Sequence, residues 1–301
     1  MEDKQLFSNI NEGILEERYR AFNINLDKNI DLIRQFGGLK KIVPHFKGKH
    51  VLIAGAGSSL GQNNLGLLKK YQNRDDLIII AADMALVPLC YRGILPKFVI
   101  SCETTPMDYF SSINTEKIHL LAFSCISNTN LRKWKGQISF YNWMIHNEMY
   151  DNLWKKAGLD LGFVATGSIV ITQAISLALG CDIQSLMLIG NDMGFKMEYY
   201  TKGTINFNKY FNNTNRFAPL DATEIDRSRN ARVFEIHRGN KLYYTNNQFL
   251  AAKKWLEELF KTANIPIYET NELGCSPEFV NKISFKKYFE RFEKRIIKQR
   301  W

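Results

Sequence analysis

Short runs of aliphatic residues recur along this chain, and each is closed by glycine, an acid or a hydroxyl. Val51-Leu52-Ile53-Ala54 runs into Gly55-Ala56-Gly57-Ser58-Ser59. Leu77 to Ala82 ends at Asp83, Phe98 to Ser101 at Cys102-Glu103, His119 to Phe123 at Ser124, and Ser185 to Ile189 at Gly190-Asn191-Asp192. Gln137 to Tyr141 reads as a further strand, and Ile265-Pro266-Ile267-Tyr268 as the last. The runs are continuous and do not alternate with polar residues, so both faces of the sheet they form are covered. Between them lie helix-period segments: 62–71, 85–91 stopped by Gly93, 168–179 stopped by Gly180, and 246–263. Strands alternating with helices predict an α/β fold with a doubly wound, mainly parallel sheet.

The flanks differ from this core. Residues 1–48 read as mostly helical, with one apolar stripe begun by Ile10, Ile14 and Leu15 and a second by Ile24, Leu26, Ile30, Leu32 and Ile33. Gly37-Gly38 punctuates them, and the segment is expected to pack as a cap. Residues 49–275 form the main domain. Inside it, 196–236 is rich in Asn, Lys, Arg and Tyr and poor in aliphatic runs, as expected of a lid over a binding site. At 276–301 a basic amphipathic helix is expected, with Phe285, Phe289, Phe292 and Ile296 on one face. That face is expected to lie on the core. Its basic side suits peripheral contact with an anionic membrane or glycan.

Composition narrows the classes without choosing among them. The net charge of +10 fits an anionic partner: a nucleotide, a nucleic acid, a glycan or a membrane surface. Trp134, Trp143 and Trp154 sit in apolar context and read as core, not as a stacking platform, and no nucleic-acid recognition motif is present. Five cysteines without CxxC spacing argue against a disulfide framework and against structural zinc. No apolar run approaches a membrane span, and the expected compartment is the cytoplasm.

The candidate chemistry gathers at the strand ends, where open parallel sheets bind ligands. A glycine turn entering a helix presents backbone N–H groups and positive partial charge, a setting for phosphate. Gly55, Ala56, Gly57, Ser58 and Ser59 form that turn. Ala165-Thr166-Gly167-Ser168 offers a second such start, with Ser168 expected as the capping hydroxyl. Asp83 suits a ribose. Asp83, Glu103 and Asp192 together suit Mg²⁺ beside a phosphate substrate. His237 is a candidate general base, and Tyr199, Tyr200, Arg216, Arg227, Arg229 and Arg232 are candidates to close over an anion. The dinucleotide fingerprint breaks at Leu60, no phosphate-loop motif exists, and no G-x-S-x-G elbow exists.

Val51 to Leu60, the stretch from Asp83 to Glu103 containing Gly93-Ile94-Leu95-Pro96, Ala165 to Gly180, Leu186 to Phe195, and Tyr268-Glu269-Thr270-Asn271-Glu272-Leu273-Gly274 together resemble the domain shared by motility accessory factor (Maf) and MptE-like proteins. The Asn-rich stretch from Asn23 to Asn29 is similar too. The same layout resembles bacterial sialyltransferases that use CMP-sialic acid. The resemblance implies a Rossmann-like fold. It also implies one of two reactions: transfer of a nonulosonic acid from a CMP-activated donor to a glycan or protein, or MptE-like transfer of pyrophosphate from ATP with Mg²⁺ to a hydroxymethylpterin.

On the first reading no cofactor or metal is held. The glycine turn, Thr166, Gly167 and Ser168 hold phosphate, while Asp83, Glu103, Gly190 and Asn191 order the nucleotide. Asp192, Tyr199, Tyr200 and His237 serve catalysis. On the second, Asp83, Glu103 and Asp192 hold the metal. A third reading is a non-catalytic nucleotide-binding protein of surface assembly. Where the family turn carries proline, this chain has Ser58.

Overall fold

A computed structural model describes residues 2–63, 65–110, 112–195, 200–204, 233–238, 241–270 and 276–298. Only the backbone is described at 2–18, 62, 233–238, 241 and 292–298.

The cap is one helix where two were expected: α1 runs unbroken over Glu2–Phe36. It stops at Gly37, whose φ of 75° is the left-handed turn glycine adopts without strain, and whose N–H bonds back to the Ile33 carbonyl. Phe22, Leu26 and Ile33 of α1 are buried in the main core. The asparagines of this helix carry the docking. Asn25 donates to the carbonyls of Thr104 and Cys125, and Asn29 to those of Ser124 and Ile126. Those carbonyls leave strand ends and have no ladder partner, so the amides satisfy buried groups that would otherwise cost free energy.

The strands are β1 (His50–Ala54), β2 (Leu77–Ala82), β3 (Phe98–Ser101), β4 (His119–Phe123), β5 (Ile138–Trp143), β6 (Phe163–Val164) and β7 (Ser185–Ile189). Near the end come β10 (Ile267–Glu269) and β11 (Asn281–Lys282), after the hairpin β8 (Val233–Arg238) and β9 (Lys241–Asn246). The nine-stranded sheet has the order β11-β10-β7-β1-β2-β3-β4-β5-β6, and every neighbour pair is parallel. β1, β2, β3, β5 and β7 are buried at every residue, as continuous apolar runs require. This is the doubly wound α/β arrangement. The sheet extends past residue 275, because β11 belongs to it.

The helices after α1 are α2 (Leu65–Tyr71), α3 (Asp83–Tyr91), α4 (Asn128–Arg132), α5 (Glu148–Ala157), α6 (Val170–Leu179), α7 (Asn247–Lys261) and α8 (Phe285–Lys298). α8 packs through Phe285, Tyr288 and Phe289, with Phe289 stacked on Tyr71 at 4.7 Å between ring centres. The described part of its apolar face is therefore turned into the core and not toward a membrane. Most of the expected lid, including Tyr199 and the four arginines, lies outside the described residues. Its last four positions, 233–236, belong to β8.

From β1 the chain steps outward strand by strand to β6, then returns to lay β7 on the other side of β1. The reversal leaves a crevice beyond the carboxyl ends of β1 and β7, where neighbouring connections depart in opposite directions.

Candidate functional site

A cavity of about 310 Å³ opens at that crevice. Gly55, Ala56 and Gly57 after β1, Asp83 after β2, Glu103 after β3 and Gly190, Asn191 and Asp192 after β7 all line it. Ser168 and Tyr200 line it as well. Residues from four separate strand ends thus meet around one space, together with the α6 start and Tyr200.

The glycine turn is closed from within. A Cβ at Gly55 would stand 2.3 Å from the Gly190 carbonyl oxygen, and one at Gly57 2.6 Å from Asp192 Oδ2. The glycines are needed because the β7 end crosses here, with Gly57 N–H donating to the Gly190 carbonyl. Asp192 then occupies the position expected for a ligand anion. Its Oδ2 accepts from the Ser59 N–H at 2.9 Å and from the Ser58 hydroxyl at 3.5 Å, and its Oδ1 from the Ser59 hydroxyl. Ser58 and Ser59 hold this carboxylate and do not line the cavity. The expected row of open amides is therefore partly filled by the chain's own acid.

The start of α6 is the opposite case. The capping residue is Ile169, not Ser168, and no side chain caps the helix. Ser168 is turned away from the capping position by a φ of 76°. Ser168, Ile169, Val170 and Ile171 line the cavity, so the Val170 and Ile171 amides lie at its edge without a side-chain acceptor among the described residues. Thr166 and Gly167 stand behind this turn. Thr166 Oγ1 accepts from Ser168 N–H and from Gln173, and Gly167 N–H donates to Thr172. A Cβ at Gly167 would meet the Trp255 ring at 2.9 Å, so close packing against α7 requires glycine there.

Two acids of the cavity are deeply buried. Asp83 accepts from Ser101 at 2.6 Å and from Met84 N–H at 2.8 Å; Asp192 is held as above. Burial pushes both carboxyls up, each to about 6, against the pull of these hydrogen bonds. Glu103 is less buried and takes the N–H and hydroxyl of Thr105. Among the described residues no three His, Cys, Asp or Glu side chains converge as ligands for one ion. Asp83, Glu103 and Asp192 share the cavity rim without forming a three-ligand group.

Several lining residues carry no signal in their local sequence. Tyr109 comes from the loop after β3, and Gln248 and Phe249 from the start of α7. Gln248 Nε2 donates to the Ser168 carbonyl, fixing the turn before α6. Beneath that turn, Gln173 Oε1 accepts from Tyr141 and Trp143, while its Nε2 donates to Cys102 Sγ. His237 sits in β8 opposite Leu242; its side chain, like Tyr199, lies outside the described residues.

A family model described as 6-hydroxymethylpterin diphosphokinase MptE-like matches residues 24–198, more than half of the chain. The chain belongs to the MptE-like family. The matched span runs from the docking half of α1 through β7 and contains the cavity's glycine turn, both buried acids and the α6 start. This MptE-like chain is also similar in structure to the Maf glycosyltransferase of Magnetospirillum magneticum AMB-1. There the TM-score is 0.55 at 15% identity, over 79% of this chain and 34% of the other. That likeness is one of fold, and the MptE-like chain spans about a third of that protein's length. No curated protein matches it.

Proposed function

We propose that this protein is a transferase that moves a nonulosonic acid or related sugar from a CMP-activated donor to a glycan or protein acceptor. One observation carries the reading. The cavity sets an uncapped helix start, suited to a single phosphate, against a rim of hydrogen-bond acceptors, suited to ribose and base. The donor's phosphate lies on the first turn of α6 beside Ser168. Asp83, Glu103 and Asn191 accept from the sugar hydroxyls and the base. The acceptor's oxygen attacks the anomeric carbon, its bond forms as the bond to the CMP phosphate oxygen breaks, and CMP departs. Asp192 takes the acceptor's proton; a carboxyl that titrates near 6 is matched to this task at neutral pH. Ser59 holds that carboxylate in place, and Tyr200 donates to the departing phosphate. His237 and Tyr199 remain candidates for the same steps.

The family match favours a second reading, pyrophosphate transfer from ATP. One titration separates the two. Thermal midpoints are read with CMP, CDP, UDP, ATP and NAD, with and without EDTA, since a ligand that binds only the folded state raises the midpoint. A cytidine-nucleotide shift that persists in EDTA supports sugar transfer. A shift with ATP alone, abolished by EDTA, replaces it with the second reading. No shift with any nucleotide leaves the non-catalytic one.

A further inference from the structure

The opposite end of the sheet carries a second built cavity. It lies at the amino ends of β1, β7 and β10, and α8 roofs it. His50 begins β1 and Ser185 begins β7; they are register partners, with His50 Nδ1 and Ser185 Oγ 2.7 Å apart. Gln184 precedes Ser185, Tyr268 comes from β10, and Tyr288 and Arg291 come from α8. The space is about 70 Å³, several times what one water requires and enough for one small oxyanion.

The chemistry of the wall is one-sided. A guanidinium, an amide, two phenols, a serine hydroxyl and an imidazole face the space, and no carboxylate lines it among the described residues. His50, Ser185 and Tyr288 are each more than nine-tenths buried. The acid that acts on His50 and Tyr288 from nearby is Asp76. Arg74 neutralises it through two hydrogen bonds of 2.8 and 2.7 Å. Arg291 is already poised at the mouth, lying 4.5 Å from the Tyr268 ring centre and donating to that hydroxyl. A planar guanidinium held in this way loses little freedom when it takes an oxyanion.

We propose that this cavity binds a small oxyanion, inorganic phosphate or a terminal phosphate group, and that the bound anion clamps α8 onto the sheet. The site is independent of the cavity at the carboxyl rim and of the reaction assigned there.

The test uses the full chain with inorganic phosphate against chloride at matched ionic strength. Phosphate at about tenfold above half-saturation is expected to raise the thermal midpoint by about 3 °C. Amide exchange is expected to slow at 285–291. Arg291→Gln, at an exposed position that leaves the fold intact, is expected to abolish both effects, and Ser185→Ala to weaken them. A phosphate shift unchanged in Arg291→Gln, protection confined to the first turn of α6, or no phosphate effect at all would each overturn the proposal. To separate a free ion from a terminal phosphate, the arm with glycerol phosphate reports whether the mouth admits a substituent. Equal response assigns the second form, and loss of response the first.

Discussion

The segment after β1 and the segment before α6 bring two helix starts to the same cavity, but they are finished differently. After β1, Asp192 folds into the turn and satisfies the Ser59 amide and two hydroxyls. Before α6, the capping position holds Ile169, whose carbonyl takes the Thr172 N–H but whose side chain has nothing to offer the Val170 and Ile171 amides. The glycine turn is the more conspicuous in sequence, yet it is partly closed by an internal anion. A ligand phosphate approaching it meets a carboxylate, and one approaching α6 meets open donors. The conspicuous motif builds the junction between β1 and β7, and the inconspicuous one faces the cavity.

Four experiments break or sharpen this contrast. The largest effect is expected at Gly190. It has a φ of 65°, and a Cβ there would stand 2.4 Å from the Gly55 carbonyl oxygen, so backbone would have to move. Gly190→Ala is expected to cost about 3 kcal/mol or more in chemical denaturation. A loss below about 1 kcal/mol would mean the junction is looser than described.

Next comes pH. Asp83 and Asp192 have folded values near 6 and a reference value of 3.8, so the folded protein holds their protons longer than the unfolded chain does. Their contribution is complete below about 3.8 and is lost as pH rises through about 6. The loss is on the order of 3 kcal/mol per group. Asp83→Asn is expected to flatten the fall in stability over this window, read as denaturation midpoints against pH. An unchanged profile would remove Asp83 as its source.

A smaller and more pointed effect is expected from Ile169→Asp. The backbone at 169 is already extended, as a capping residue requires, so a carboxylate there should close the α6 start as Asp192 closes the other. Stability should rise by about 0.5–1 kcal/mol, while nucleotide affinity falls about tenfold or more in calorimetry. Equal affinity in the variant would place the phosphate elsewhere. The smallest effect belongs to Ser59→Ala, expected to cost about 0.5 kcal/mol by loosening Asp192, with nucleotide affinity retained. If affinity drops as much as for Ile169→Asp, the two starts do not divide their roles.

Much of the fold was legible. β1, β2, β3, β4 and β7 begin and end where their apolar runs do, because a strand buried on both faces has no polar position to blur its bounds. α5 was missed although Asn147 caps it, since its charged surface interrupts the apolar spacing. β9 was missed because Lys241 and Asn246 frame a half-polar hairpin strand. At the cavity, the acids and glycines were legible because strand ends are. Tyr109 and Gln248 were not, because nothing local marks a loop or a helix start as facing a distant strand. Ser168 was misread for a local reason: serine before a helix usually caps it, but the positive φ here moves that duty to the next residue.

The pairing of β1 with β7 joins positions 135 apart in the chain. Closing so long a loop is slow in folding, and the six strands from β1 to β6 can assemble first because each follows its neighbour. The crevice at the carboxyl rim is therefore assembled late, since Asn191 and Asp192 reach Asp83 and Glu103 only when β7 docks.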